Sequence, residues 1–330
     1  MKNAAFPVAF LALVFLSGCG PKYTYPASTV SKSVEDICNK EYDIKADARV
    51  TGKTLGAVFY SGHLIDKQGQ VAKEVHEAMG KVMQAVTRVA LSTDLPLDFS
   101  TVTIRDRNQG NELTITRSID DTKRANADAI GVEESINRTL FSQGRYTPSP
   151  KGRPVFVLKD VKLENFLSDQ IVQRLRFNFS KDAKDSKDSK DSKDTKEKDE
   201  ASAPFALVDG HFREEAGRKI FRFSMIGLKS EDPKTNILNI FRTVNAVLAG
   251  YAFKGFDLIE IQDYLNRQKL VIDRQTLLDF QNKKITETQI LQRYLTESQS
   301  IQEAFKLFGF TLPSDSTEDA AASAPVVTTP

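Results

Sequence analysis

Between Ile44 and Ser118 the spacing of apolar residues changes period twice, and this restricts the fold more than any other feature of the chain. Ile44, Ala46, Ala48 and Val50 alternate with Lys45, Asp47 and Arg49, the period of a strand with one buried face. The turn Thr51-Gly52-Lys53 leads into a second strand, Thr54 to Tyr60. From Gln70 to Leu91, Val71, Val75, Ala78, Val82, Val86 and Val89 recur at helical spacing and form one stripe. Phe99 to Asp106 and Glu112 to Ser118 then return to strand character around Asn108-Gln109-Gly110-Asn111. A helix with one apolar stripe, set between strand pairs with one apolar face, buries both by packing onto their sheet. The expected class is α+β, with antiparallel sheets packed against helices.

The rest of the chain extends this pattern. Ser33, with Asp36 three residues on, marks a helix start that puts Val34, Ile37 and Cys38 on one side. Cys38 reads as a small core hydrophobe, since no cationic residue sits beside it to activate the thiol. Asp120 or Asp121 caps a helical stretch running to about Phe141 and stopping near Gly144. Beyond Lys151 a similar order begins. A short strand is expected over Pro154 to Leu158 and a helix over Asp160 to Val172, followed by a strand on the alternation of Leu175, Phe177 and Phe179. Ser180 to Glu200, "SKDAKDSKDSKDSKDTKEKDE", carries no apolar residue larger than Ala and cannot offset the entropy of ordering. Strand signals resume at Phe205 to Phe212 and Lys219 to Leu228, so a meander pairing 174–179 with 205–213 would make the charged run a hairpin loop. Helices are expected over Thr235 to Leu248, Ile261 to Asn266, Thr286 to Leu295 and Ile301 to Phe308. Capping boxes at Thr286/Gln289 and Ser300/Glu303 mark the starts of the last two, and Gly309 ends the series.

The organisation read from this is two α+β subdomains, 33–148 and 149–310, with a helical C-terminal region. The second carries an unstructured loop at 180–204, and a Ser/Thr/Ala/Pro tail fills 311–330. Both halves can be written strand, helix, strands, helix, but no residue-level repeat is legible between them.

The N-terminus bears on where such a chain works. Met1-Lys2 is a short positive segment, and Ala4 to Leu16 is an apolar run shorter than the roughly 20 residues of a membrane-spanning helix. It ends in Leu16-Ser17-Gly18-Cys19, which resembles the lipobox of bacterial lipoproteins. The resemblance implies that 1–18 is a signal peptide, that a diacylglycerol is attached to Cys19, and that 19–32 is a tether. Two or three acyl chains anchor a protein stably where one holds it only marginally. With Gly20 after the cysteine, the pattern leans toward the outer membrane, facing the periplasm, in a host with two membranes.

Composition and motifs narrow the function classes. The 330 residues carry 46 basic and 44 acidic side chains, a net charge of +2, without the basic surplus that phosphate neutralisation requires, so no nucleic-acid partner is expected. Gly52-Lys53-Thr54 lacks the upstream Gly and the following helix of a phosphate loop. His76 begins a zinc-helix motif, but Gly80 stands where the second ligand belongs. With only His63 and His211 besides, neither a metal nor a cofactor is expected. Asp106-Arg107-Asn108-Gln109-Gly110 is nearer a strand turn than a calcium loop. No nucleophile signature occurs, and no catalytic residue is assigned. Thr101, Thr103 and Arg105 on one strand, with Thr114 and Thr116 on its partner, form a candidate docking face for another envelope protein or a polymer. The function expected is a lipid-anchored envelope protein with a scaffolding, assembly or accessory-binding role. The alternatives are an envelope-acting hydrolase and a periplasmic carrier of a small ligand or lipid.

Overall fold

A computed structural model describes residues 24–66, 68–147, 156–188, 207–226 and 234–297. The expected signal peptide at 1–18, Cys19, the Ser300/Glu303 box, the helix expected at 301–308 and the tail at 311–330 lie outside them. The chain divides into two units, Met1–Leu163 and Glu164–Pro330. The α+β class with two subdomains holds. Each unit is built around a five-stranded sheet that carries one parallel pair, so the sheets are mixed rather than antiparallel throughout.

The first unit runs α1 (Val30–Tyr42), β1 (Ala46–Thr51), β2 (Thr54–Ser61), α2 (Lys73–Leu91), β3 (Phe99–Asp106), β4 (Asn111–Ser118), α3 (Ile119–Asn126), α4 (Val132–Asn137) and β5 (Leu140–Arg145). Strand order is β1-β2-β3-β4-β5. The strands β1 and β2 join through the two residues Gly52-Lys53, and Gly52 takes φ +55°, which a side chain would disfavour. A parallel pair cannot close through a tight turn, so β2 and β3 are joined by the crossover helix α2. The valine stripe of α2 lies on that sheet face, with Val34 and Cys38 of α1, against Ala48, Leu55, Ala57, Phe59, Val102 and Ile104.

The second unit runs α5 (Leu163–Asp188), β6 (Leu207–Glu215), β7 (Arg218–Ile226), α6 (Lys234–Gly250), β8 (Leu258–Asp263), β9 (Gln268–Asp273), α7 (Arg274–Gln281), α8 (Glu287–Tyr294) and β10 (Leu295–Glu297). Strand order is β10-β9-β8-β7-β6, and β7 and β8 form the parallel pair across α6. Its core is phenylalanine-rich: Phe221, Phe223, Phe241 and Phe256 are fully buried, and Phe221 packs edge-on against Phe212, Phe253 and Phe256.

The two units therefore share one order of elements and one strand order. The correspondence reaches single residues. Ser118 caps α3 by accepting the Asp121 amide, and Asp273 caps α7 by accepting the Thr276 amide. After these helices, Asp128 and Lys283 take φ +52° and +60°. Around them the amides of Ala127, Asp128 and Ala129 bond back to Lys123, Ala125 and Arg124 as those of Asn282, Lys283 and Lys284 do to Leu278, Phe280 and Asp279. The same constant offset carries Ile130 onto Ile285, Arg138 onto Arg293 and Leu140 onto Leu295.

Several expected elements differ. The helix α1 begins at Val30, so Ser33 lies inside its first turns. Leu140–Arg145, expected to end a helix, pairs with β4 as a strand. Residues 156–162 have no regular structure. Leu175, Phe177 and Phe179 continue α5, which runs to Asp188, so the charged run is helical in its first residues and 174–179 cannot pair with β6. Among the described residues, the strand β6 pairs only with β7. On its other edge Arg176 donates to the Val208 carbonyl through Nε at 3.2 Å and Nη2 at 2.9 Å. Ile261 belongs to β8 rather than a helix, and β9 and α7 have no counterpart in the expected pattern. The capping box at Thr286 and Gln289 is formed.

Candidate functional site

The threonine face is not open to a partner. Thr101, Thr103 and Thr116 are buried, Thr103 Oγ1 and Thr114 Oγ1 are hydrogen-bonded at 2.9 Å, and Arg105 Nε donates to Glu112 Oε2 at 3.0 Å. At its Thr101 end the face meets a strap, residues 156–162, that no local pattern on β3 or β4 reveals. Phe156 is buried, and Leu158 lies so close over Gly56 that a Cβ there would sit 2.5 Å from Leu158 Cδ1. Asp160 fastens the strap to the β1–β2 turn by accepting from Lys53 N at 3.0 Å and Thr54 Oγ1 at 3.2 Å. Thr54 Oγ1 in turn accepts from Val161 N at 2.9 Å. The Lys162 ammonium, 2.6 Å away, and the Lys53 amide hold the Asp160 carboxyl below its ordinary pKa.

A different part of the first unit is open. Where β2 ends, a concavity of about 290 Å³ lies against the first turns of α2. Ile44, Phe59, Val75 and Ala78 give it an apolar floor, and Tyr60 and Ser61 line its side. Asp43, Lys45, Glu74 and Arg107 complete it, all solvent-exposed. Each comes from a different place: the left-handed residue after α1, the approach to β1, the first turn of α2 and the β3–β4 turn. Among the described residues, no ion pair within 4.0 Å joins any two of the four. The Arg107 guanidinium instead lies over the Tyr60 ring, 5.7 Å from its centroid, close enough for a cation–π contact. No local pattern signals this site, because its residues are scattered along the chain and assembled by topology.

Beneath it, Asp106 is fully buried at the end of β3 and accepts from the amides of Leu64 at 3.0 Å, Asn108 at 2.8 Å and Gln109 at 2.9 Å. Burial alone would raise its pKa, but these donors hold it below the ordinary value. The calcium-like segment thus uses its carboxylate to fix a turn.

The matching corner of the second unit is built from other side chains. Asp263 ends β8 as Asp106 ends β3, and Tyr264 N bonds to Met225 O as Arg107 N bonds to Ser61 O. Asn236 from the first turn of α6 and Asn266 from the β8–β9 turn both donate to Asp263 Oδ2, at 3.0 and 2.7 Å. Tyr264, in the place of Arg107, is buried.

The histidines do not converge. His63, after β2, and His76, in the first turns of α2, are both exposed. His211 on β6 lies 3.8 Å from Asp209, and burial and Arg213 push its pKa down. Among the described residues no group of three His, Cys, Asp or Glu is placed to hold a metal ion. Cys38 is buried, and burial, with Glu35 adding to it, pushes its thiol up to about 11.

No family model and no curated protein matches this chain. A solved structure described as the crystal structure of sex pheromone staph-cAM373 precursor aligns over 77% of this chain and 79% of its own, with 8% identity. At a TM-score of 0.18 that likeness carries no argument.

Proposed function

We propose that this chain is a lipid-anchored cell-envelope protein with a non-catalytic, accessory-binding role. The observation that carries the reading is Leu16-Ser17-Gly18-Cys19 at the end of a short apolar leader. Cys19 is the lipid attachment point, the membrane is reached through that lipid, and Gly20 favours the outer membrane facing the periplasm where two membranes exist. The binding role is supported by how the polar side chains are used. Asp106 and Asp263 fix turns, Asp160 fastens a strap, and Arg105 and Arg222 pair with Glu112 and Glu260. The open concavity, at about 290 Å³, is at the small end of ligand pockets. It fits a small polar ligand better than a lipid cargo.

Metabolic labelling with a radiolabelled fatty acid tests the anchor. Wild type takes up label and Cys19→Ala does not, remaining an unprocessed precursor. Equal label in both would sink the reading.

A further inference from the structure

We propose that the concavity at the end of β2 binds a small zwitterion, an amino acid with an apolar side chain. This deepens the accessory-binding role above and rests on that reading for the compartment in which the ligand is met. Four observations point there. First, Asp43 and Glu74 supply negative charge and Lys45 and Arg107 positive charge around one opening, yet no carboxylate–cation pair among them closes to 4.0 Å. Charges of both signs brought to one opening from the α1–β1 connection, α2 and the β3–β4 turn, and not paired with one another, suit a ligand that carries both. Second, the floor of Phe59, Val75 and Ala78 is apolar, with Phe59 and Val75 buried, so the ligand body between the charges is apolar as well. Third, the volume of about 290 Å³ lies at the small end of ligand pockets, with room for a ligand the size of one amino acid rather than a lipid.

The fourth observation is an internal control. The second unit brings the same three elements to the same corner: a strand end, the first turn of the crossover helix and the following strand turn. There, among the described residues, Asn236 and Asn266 both bond to Asp263 and Tyr264 is buried, so the side chains at these positions are engaged within the fold. Had the first unit needed the corner only for stability, the same solution was available to it. It places Glu74 and Arg107 there instead, and they do not bond to each other.

In the bound state the Arg107 guanidinium and Lys45 ammonium face the ligand carboxylate, and Asp43 and Glu74 face its ammonium. Arg107 is already stacked on Tyr60, which reduces the rotamer freedom lost on binding. The site is open to water, so affinity is weak, with Kd of order 1 mM.

The test is amide chemical-shift titration of the full ¹⁵N-labelled chain with leucine, and with N-acetylleucine and leucinamide, which each lack one charge. The expected result is saturable shifts at Ser61, Glu74, Val75 and Arg107 with leucine, weakened about tenfold or more by removing either ligand charge. Arg107→Gln should remove the response to leucine with the remaining spectrum unchanged, and Glu74→Gln should weaken it. No saturable shift at these amides up to about 50 mM leucine, or equal affinity for all three ligands, overturns the proposal. These spectra are independent of fatty-acid labelling at Cys19. A labelled protein without shifts loses only the ligand, and an unlabelled protein with shifts loses only the anchor.

Discussion

Adding one methyl group at Gly210 tests how closely α5 and β6 approach. Gly210 lies in the middle of β6 opposite Phe223. A Cβ there would sit 2.7 Å from Val172 Cγ2 on α5 and 2.8 Å from Phe223 Cε1, and closer still to Phe223 Cδ1. Carbon atoms in contact prefer about 3.5–4.0 Å, so the groups must part by about 1 Å. The Phe223 ring cannot swing away freely, because it is fully buried and stacked on Phe221 with centroids 6.1 Å apart. Overpacking of this kind costs about 1–3 kcal/mol. Gly210 does not have positive φ, so alanine also restricts the unfolded chain and recovers about 0.4–1 kcal/mol. The net expectation for Gly210→Ala is a loss of about 1–2 kcal/mol, or about 2–8 °C in the transition of a unit this size. Gly80→Ala is the matched control. Gly80 is an exposed residue inside α2, and a Cβ there would meet nothing within 4 Å, so alanine should add about 0.5–1 kcal/mol. Urea unfolding of both variants, followed by circular dichroism, separates the signs. A Gly210→Ala protein as stable as wild type, with unchanged denaturant slope, would refute the close approach of Val172 and Phe223.

Further expectations follow from single contacts. Asp121 and Arg138 form an almost fully buried pair at 2.9 Å, with Glu134 also on Arg138 at 2.6 Å; Asp121→Ala should cost about 2–4 kcal/mol in urea unfolding, below the usual loss for a broken buried pair because Glu134 remains. The Cys38 thiol, raised from 9.0 to about 11, should resist alkylation in the native state and react in denaturant. Because the folded state keeps the proton longer, its contribution is intact below about pH 9 and is lost as pH rises toward 11, which unfolding midpoints across that range can check. Asp160→Ala should free the strap and speed exchange of the Lys53 and Val161 amides about tenfold. Acid should act in the same direction: the Asp160 pKa is depressed, so its contribution is present above the unfolded value near 3.8 and fades as pH falls through the lower folded value.

Where one element buries one face, its sequence announces it. Ala46 and Ala48 alternate with more exposed neighbours, the valines of α2 keep helical spacing along its length, and Thr286 with Gln289 forms its box. Ambiguity arises where a short apolar run satisfies both periods. Leu175, Phe177 and Phe179 alternate like a strand, yet Leu167, Ile171 and Leu175 step by four along α5, and Leu175 is buried while Phe177 is exposed. Ile259 and Ile261 pose the opposite problem in β8. The strand β5 shows no pattern because it is an edge strand with every residue after Leu140 exposed. The threonines of β3 and β4 are polar and alternate as a solvated face would, yet Thr101, Thr103 and Thr116 are interior, and the strap that lies over Gly56 beside Thr101 is distant in sequence. The concavity is a product of topology: Asp43, Lys45, Glu74 and Arg107 are unremarkable on the chain and meet only when β2, α2 and β3 are assembled.

The central claim is that Cys19 carries the lipid that holds this protein at the envelope. The most direct measurement is mass spectrometry of the N-terminal peptide of protein extracted from membranes. The account predicts a chain that begins at Cys19, lacks residues 1–18, and bears a diacylglycerol on the thiol. A chain that begins elsewhere, with Cys19 unmodified or absent, would contradict it.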